Sequence, residues 1–253
     1  MRTCLFVLLV GGFAGVLHPV SMASAQDRPH AYFVLVDTST SMGETPKRPK
    51  VPTDWTQSKM VEVQRQLGDF CAGLPAETEV RIFTFDRDFR EGPQLVIAGD
   101  KQRDELKLFF TAVQPTGNGT HAWSSLNRVL GKAAEYAQAT PGARVRVLMY
   151  TDGDDNDPAR PDLRKILQAY KGLLKDEIEP TVVTLGFTLA KDVTDAFDQA
   201  GVKHAAVFDR DQLLPFIAAL DWEPRQPTTR DEVRFIDCSR GAIAEIAWEF
   251  GDG

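Results

Sequence analysis

Residues 34–42 read VLVDTSTSM, an apolar run that stops in a carboxylate and a cluster of hydroxyls. Asp37, Ser39 and Ser41 put oxygen side chains at alternating positions. Three kinds of chemistry use such a cluster. Asp, Ser and Thr cap helices and turns by bonding local backbone N–H groups. They also serve as nucleophiles. A nucleophilic Asp of the phosphatase type needs a second Asp two positions on, where this chain has Ser39, and a nucleophilic Ser needs an adjacent base. His121 is the one histidine beside a candidate site loop, and no G-x-S-x-G elbow surrounds any serine. The third use is a hard divalent cation. Mg²⁺ takes about six oxygens and keeps several waters. Asp37, Ser39 and Ser41 offer one charge and two neutral oxygens, a second strand end adds Asp152, and a turn adds Thr120. No cysteine or histidine pattern points to zinc or a softer metal. On these residues alone all three readings stay open.

The elements that must position them follow from periodicity. AYFVLV at 31–36 is continuous, β-branched and aromatic, as a central parallel strand covered on both faces requires. Strands are also expected at 79–85, at 93–98 (short, at an edge beside Gly92-Pro93), at 144–150, at 181–186 and at 203–208. Helices are expected at 55–74, 102–113, 121–138, 161–175, 190–200 and 211–220, with TGNGT at 116–120 as a turn and Gly201 as a helix stop. Val61, Leu67, Phe70, Cys71 and Leu74 are read as one apolar face of the first helix. Strands alternating with helices of this length predict an α/β fold: a doubly wound, mostly parallel central sheet flanked by helices. In such sheets sites form in loops at the carboxyl ends of strands, and both the Asp-Ser-Ser cluster and TDGDDND occupy such ends.

Asp37-Thr-Ser39-Thr-Ser41 after the first strand, Gly119-Thr120 in a following loop and Thr151-Asp152-Gly153 after a later strand together resemble the metal-ion-dependent adhesion site of von Willebrand factor type A (VWA) domains. The resemblance covers roughly residues 29–220. It implies a VWA/Rossmann-like fold and a divalent cation, Mg²⁺ with Mn²⁺ or Ca²⁺ as alternatives. Ser39, Ser41 and Thr120 would supply hydroxyl ligands, with Asp37 and Asp152 acting directly or through water. The implied function is adhesion-type binding of a protein ligand, which offers an acidic side chain to the metal without any bond being made or broken. Two other readings are a structural surface or matrix module and a metal-assisted hydrolase, the latter without a nameable base.

Two neighbouring stretches need separate treatment. Asp152, Asp154 and Asn156 have the D-x-D-x-N rhythm of a calcium loop, but Asp157 and Leu163 stand where an EF-hand needs Gly and Glu. An EF-hand is excluded, and Asp154, Asp155 and Asp157 are expected to form an acidic rim or to cap the next helix. GETPKRPKVPTDW, with Lys47, Arg48 and Lys50, would sit at the rim of such a metal face, either as a specificity loop for an acidic partner or as a solvated surface loop.

The rest of the chain bounds the setting. Residues 4–17 form an apolar core of signal-peptide length, and Ala23-Ser24-Ala25 is a cleavage pattern, so residues 1–25 are read as a signal peptide. That makes the mature protein secreted, periplasmic or cell-surface, with no membrane span. A formal net charge of −7 and no basic run disfavour nucleic acid and anionic membranes as partners. Of the 3 cysteines, Cys4 lies in the leader. Cys71 and Cys238 could pair after export, but the helical face around Cys71 favours a small buried core residue. Residues 221–230 read as a linker. Residues 231–253 end in Trp248, Phe250, Gly251, Asp252 and Gly253, which resemble the W-x-F-G-D-G stretch of a polycystic kidney disease-type (PKD) repeat. That implies an incomplete β-sandwich segment at the C-terminus.

Overall fold

The structure, a computed structural model, describes residues 30–44, 58–153, 155–174, 176–207, 220–223 and 234–237. The leader, the basic loop, the 211–219 stretch, Cys238 and the PKD-like signature at 248–253 lie outside the described residues.

The central strand β1 (His30–Asp37) has β2 (Glu79–Phe85) and β4 (Arg144–Thr151) as parallel neighbours. Beyond β4 come β5 (Ile178–Leu185) and β6 (Lys203–Val207), also parallel, and β3 (Phe89–Val96) adds to β2 antiparallel. The sheet order is β3-β2-β1-β4-β5-β6. Helices α1 (Lys59–Ala72), α2 (Asp100–Ala112), α3 (Ala122–Ala139), α4 (Leu163–Ala169) and α5 (Lys191–Ala200) connect the strands. A separate antiparallel pair joins β7 (Leu220–Glu223) to β8 (Arg234–Asp237). Leu220, expected to close a helix, opens β7, which takes in 221–223 at the start of the stretch read as linker.

The continuous apolar run of β1 is explained by burial on both faces. Ala31, Phe33 and Leu35 enter one core with Trp123, Leu126, Val129 and Leu130 of α3. Tyr32, Val34 and Val36 enter the other with Met60, Val63, Leu67 and Phe70 of α1. Each of the Val, Leu, Phe and Met side chains among these, fully withdrawn from water, contributes about 1.5–3 kcal/mol. Among the described residues no helix is long and apolar enough to cross a membrane.

Several boundaries differ from expectation. β3 begins at Phe89 and ends at Val96, because a register shift between Arg81 and Phe83 bulges the strand and absorbs Gly92-Pro93. β5 starts at Ile178, three residues earlier than expected. α4 leaves its helix at Tyr170, where tight turns such as Leu173 N–H to the Tyr170 carbonyl (2.8 Å) carry the chain back to β5. Leu173 and Leu174 still pack on the core from those turns, which is why the pattern reads as a longer helix. In α1 Val61 is exposed at 40%, and the buried face is set by Met60, Val63, Leu67, Phe70 and Cys71. Gly201 closes α5 in the left-handed conformation.

Cys71 is a free, buried thiol, and burial pushes its pKa up to about 12, opposed by Lys107. Since only the thiolate reacts, the native chain at pH 8 should leave Cys71 unalkylated by iodoacetamide, with full labelling in denaturant. Peptide mass spectrometry showing native-state labelling would contradict this placement.

Candidate functional site

The site lies where the connections from the sheet diverge, β1 leading to α1 on one face and β4 adjoining α3 on the other. Asp37 ends β1 one step beyond the apolar core and is 0% exposed. Its Oδ2 accepts a 2.6 Å bond from the Thr151 hydroxyl on β4, and its Oδ1 accepts the Ser39 N–H at 2.8 Å. Burial raises the Asp37 carboxyl to about 6, against those two bonds, and the nearby Asp152 adds to the rise. A carboxylate in such surroundings favours a positive partner.

The chain then turns through a 3₁₀ segment, Thr40–Gly43, anchored by buried Met42. This turn brings the Ser41 hydroxyl within 3.0 Å of the Ser39 hydroxyl and 2.9 Å of Asp152 Oδ1. Thr120 is buried beside this group, and a Cβ added at Gly153 would lie 3.8 Å from its hydroxyl. The structure therefore brings Asp37, Ser39, Ser41 and Asp152 into one hydrogen-bonded cluster with Thr120 alongside. The donor set is two carboxylates and three hydroxyls, all oxygen, which suits a hard cation. Among the described residues no group of three or more His, Cys, Asp or Glu side chains is placed to hold a metal ion, so the hydroxyls would have to complete any ligand set.

Three loops hold this geometry through backbone bonds. Ser39 and Gly117 form a parallel bridge, with Thr40 N–H to the Gly117 carbonyl at 2.8 Å and Gly117 N–H to the Thr38 carbonyl at 2.9 Å. Asn156 fixes Thr120 from the loop after β4. Its side-chain oxygen accepts the Thr120 N–H at 2.8 Å, and its own N–H donates to the Thr120 carbonyl at 2.9 Å. Asp86, after β2, accepts a two-pronged bond from Arg90 at 2.9 and 3.1 Å, and its carbonyl accepts the His121 N–H at 2.8 Å. Gly117 must be glycine because a Cβ there would fall 2.0 Å from Asp86 Oδ2. Gly119, at φ +91°, takes the left-handed turn that delivers Thr120.

Of the acidic residues after Asp152, Asp155 and Asp157 are tied into the protein, and Asp154 lies outside the described residues. Asp155 accepts the Trp123 N–H at 3.3 Å, so it caps α3, while Asp162 caps α4. The helix receiving this cap is thus the preceding one. Burial raises the Asp155 carboxyl, against the Trp123 and Ala122 N–H groups. Asp157 accepts the Ser124 hydroxyl at 2.5 Å and the Ala159 N–H at 2.8 Å, with the His121 ring 3.9 Å away.

Sequence reasoning missed several participants, Lys59 first among them. The Lys59 ammonium pairs with Asp152 Oδ2 and donates to the Ser41 carbonyl at 3.1 Å. Its one sequence signal is position: Lys59 is the first residue of α1, where the helix dipole disfavours a cation. Thr151, Asn156 and Asp86 were equally unassigned: Thr151 and Asn156 act through contacts 114 and 36 positions away, and Asp86 through a local pairing with Arg90 that no motif marks.

Two outcomes test the scaffold. Gly117→Ala should lower unfolding stability by about 2–3 kcal/mol in urea titration, as overpacking does, and unchanged stability would mean Asp86 does not hold this position. Asp86's carboxyl lies below its ordinary 3.8: burial would raise it, but Arg90 and the Asp88 N–H outweigh that. Its contribution to stability is therefore complete above that ordinary value and is lost as pH falls through the lowered one. Arg90→Met should cost about 1 kcal/mol at pH 7 and flatten the pH dependence of stability below pH 4, read by denaturation at stepped pH.

No family model matches this chain, and no curated protein matches it. Solved structures do. A von Willebrand factor type A protein from Catenulispora acidiphila superposes at TM-score 0.56 and 18% identity, over 74% of this chain and 40% of that one. Proximal thread matrix protein 1 from the mussel byssus gives 0.53 and 12%, over 74% of this chain and 46% of that one. The conserved hypothetical protein BatB of Bacteroides thetaiotaomicron gives 0.52 and 14%, over 71% of this chain and 90% of that one. The match thus spans less than half of the first two proteins. What they share with this chain is the six-stranded, mostly parallel sheet with flanking helices: the chain has the von Willebrand factor type A fold.

Proposed function

We propose that this chain is an exported VWA-fold binding module that takes a protein ligand through a divalent cation, Mg²⁺ in the first instance and Mn²⁺ or Ca²⁺ as alternatives. The observation that carries the reading is the hydrogen-bonded convergence of Asp37, Ser39, Ser41 and Asp152 at the ends of β1 and β4, with Thr120 beside Gly153 from the loop before α3, all offering oxygen. When bound, the ion supplies an electrophilic centre able to accept a partner's carboxylate. The chain's own residues do the rest. Ser39, Ser41 and Thr120 present neutral oxygens. Asp152 adds charge from just beyond the end of β4. Asp37, saturated by Thr151 and the Ser39 N–H, orients Ser39 from beneath.

Export rests on the leader at 1–25, and the PKD-type reading of the tail on residues 248–253. A second reading, a structural module in which the ion only tightens the fold, draws on the likeness to a protein named for the byssal thread matrix.

The test is calorimetric titration of Mg²⁺ and Mn²⁺ into the chelator-stripped chain, beside Ser39→Ala and Asp152→Ala. Saturable binding, weakened at least about tenfold in either variant, is expected. Unchanged affinity in both would remove these residues from any metal site. Acidic peptides binding only with metal present would favour the adhesion reading. A metal-dependent rise in melting temperature without peptide binding would favour the structural one.

A further inference from the structure

Lys59 heads α1, yet its ammonium turns away from solvent to Asp152 and the Ser41 carbonyl. The Lys59 side chain is 12% exposed and that of Asp152 is 0% exposed. A lysine placed only to solvate a surface keeps its head in water, so this one is held. The other oxygen of Asp152 accepts the Ser41 hydroxyl at 2.9 Å, and that hydroxyl lies 3.0 Å from Ser39's. The ammonium therefore sits on the carboxylate, and against the residue, that a divalent cation would use. Two cations in one buried site repel steeply, so they cannot both be held there.

We propose that Lys59 is a tethered cation that competes with the divalent ion for Asp152. The idea rests on the metal-site reading above. Without metal, the ammonium neutralises a carboxylate that would otherwise be buried alone, and it keeps the Ser39–Ser41–Asp152 array assembled. Metal enters as the ammonium leaves, so apparent affinity is set by the fraction of molecules in which Lys59 has swung off. Release asks only for rotation of a four-carbon side chain. The Lys59 N–H stays bonded to the Glu44 carbonyl at 3.2 Å, so α1 need not move. The site is thereby set to fill where divalent ion is plentiful and to stay closed where it is scarce.

The experiment compares the full chain with Lys59→Met, which keeps the stem and loses the charge, and Lys59→Arg, which keeps the charge. Mg²⁺ is titrated calorimetrically, and thermal melts are run in chelator and in excess Mg²⁺. Lys59→Met should bind Mg²⁺ at least about tenfold more tightly than wild type, melt lower in chelator and gain more from Mg²⁺. Lys59→Arg should stay near wild type. Should the Met variant not fold, Lys59→Gln, neutral but able to donate to Asp152, carries the same expectation. Binding by the neutral variant alone supports competition in its strongest form. Equal or weaker binding by the neutral variant, with wild type binding normally, overturns the role of Lys59 and leaves the metal site standing. Binding by neither overturns the site itself, and the competition with it.

Discussion

Asp37 closes the central strand with no part of its surface in water. A carboxylate so placed must be protonated, paired or saturated with hydrogen bonds, and much of the surrounding structure answers that demand. Thr151 supplies a hydroxyl from the adjoining strand, and Ser39 supplies its N–H by turning the chain sharply at the strand end. That turn places Ser41 against Asp152, and Asp152 draws in Lys59. One buried charge at the sheet's centre thus propagates outward into an ordered rim of oxygens. The loops that frame it are fastened mainly by main-chain bonds, which fix position without depending on flexible side chains.

The legible part of this fold is the part with redundant signals. β1 and β4 are buried on both faces, so their apolar runs are nearly continuous. α3 repeats its apolar positions from Trp123 to Tyr136, and every one is buried. Two segments of the candidate site, at Asp37–Ser41 and at Asp152, were legible because they follow strands that pair side by side, whereas Thr120 comes from the loop between α2 and α3. Where one sequence pattern serves two structures, reading fails. Leu173 and Leu174 extend a helical rhythm but pack from turns, and Gly92-Pro93 suggests a strand start but sits inside a bulged one. Val61 is apolar but faces water, because Met60, Val63, Leu67, Phe70 and Cys71 already define the helix face. Lys59 and Asp155 show a harder limit. Their partners lie 93 and 32 positions away, and no local pattern announces either contact.

The structural likenesses, at 12 to 18% identity, preserve a backbone arrangement over most of this chain. Function on such a scaffold depends on side chains grafted at strand ends. In this chain those side chains divide by mobility. Asp37, Ser39 and Thr120 are buried and tied to neighbouring backbone, whereas Lys59 reaches the cluster on a long flexible stem. A tightly held set of oxygens met by one long cationic side chain differs in kind from a uniformly rigid set, even when the fold is shared.

The bulge in β3 has a consequence for assembly. Strands at sheet edges invite other chains to add on, copy after copy, and open edges seed fibres. β3 terminates the sheet order, and there Pro93 lacks an N–H while the extra residue opposite Ile82 breaks the hydrogen-bonding rhythm. A foreign strand would meet an interrupted template on that side. Polymerisation through this edge is discouraged by the same irregularity that made the strand hard to read.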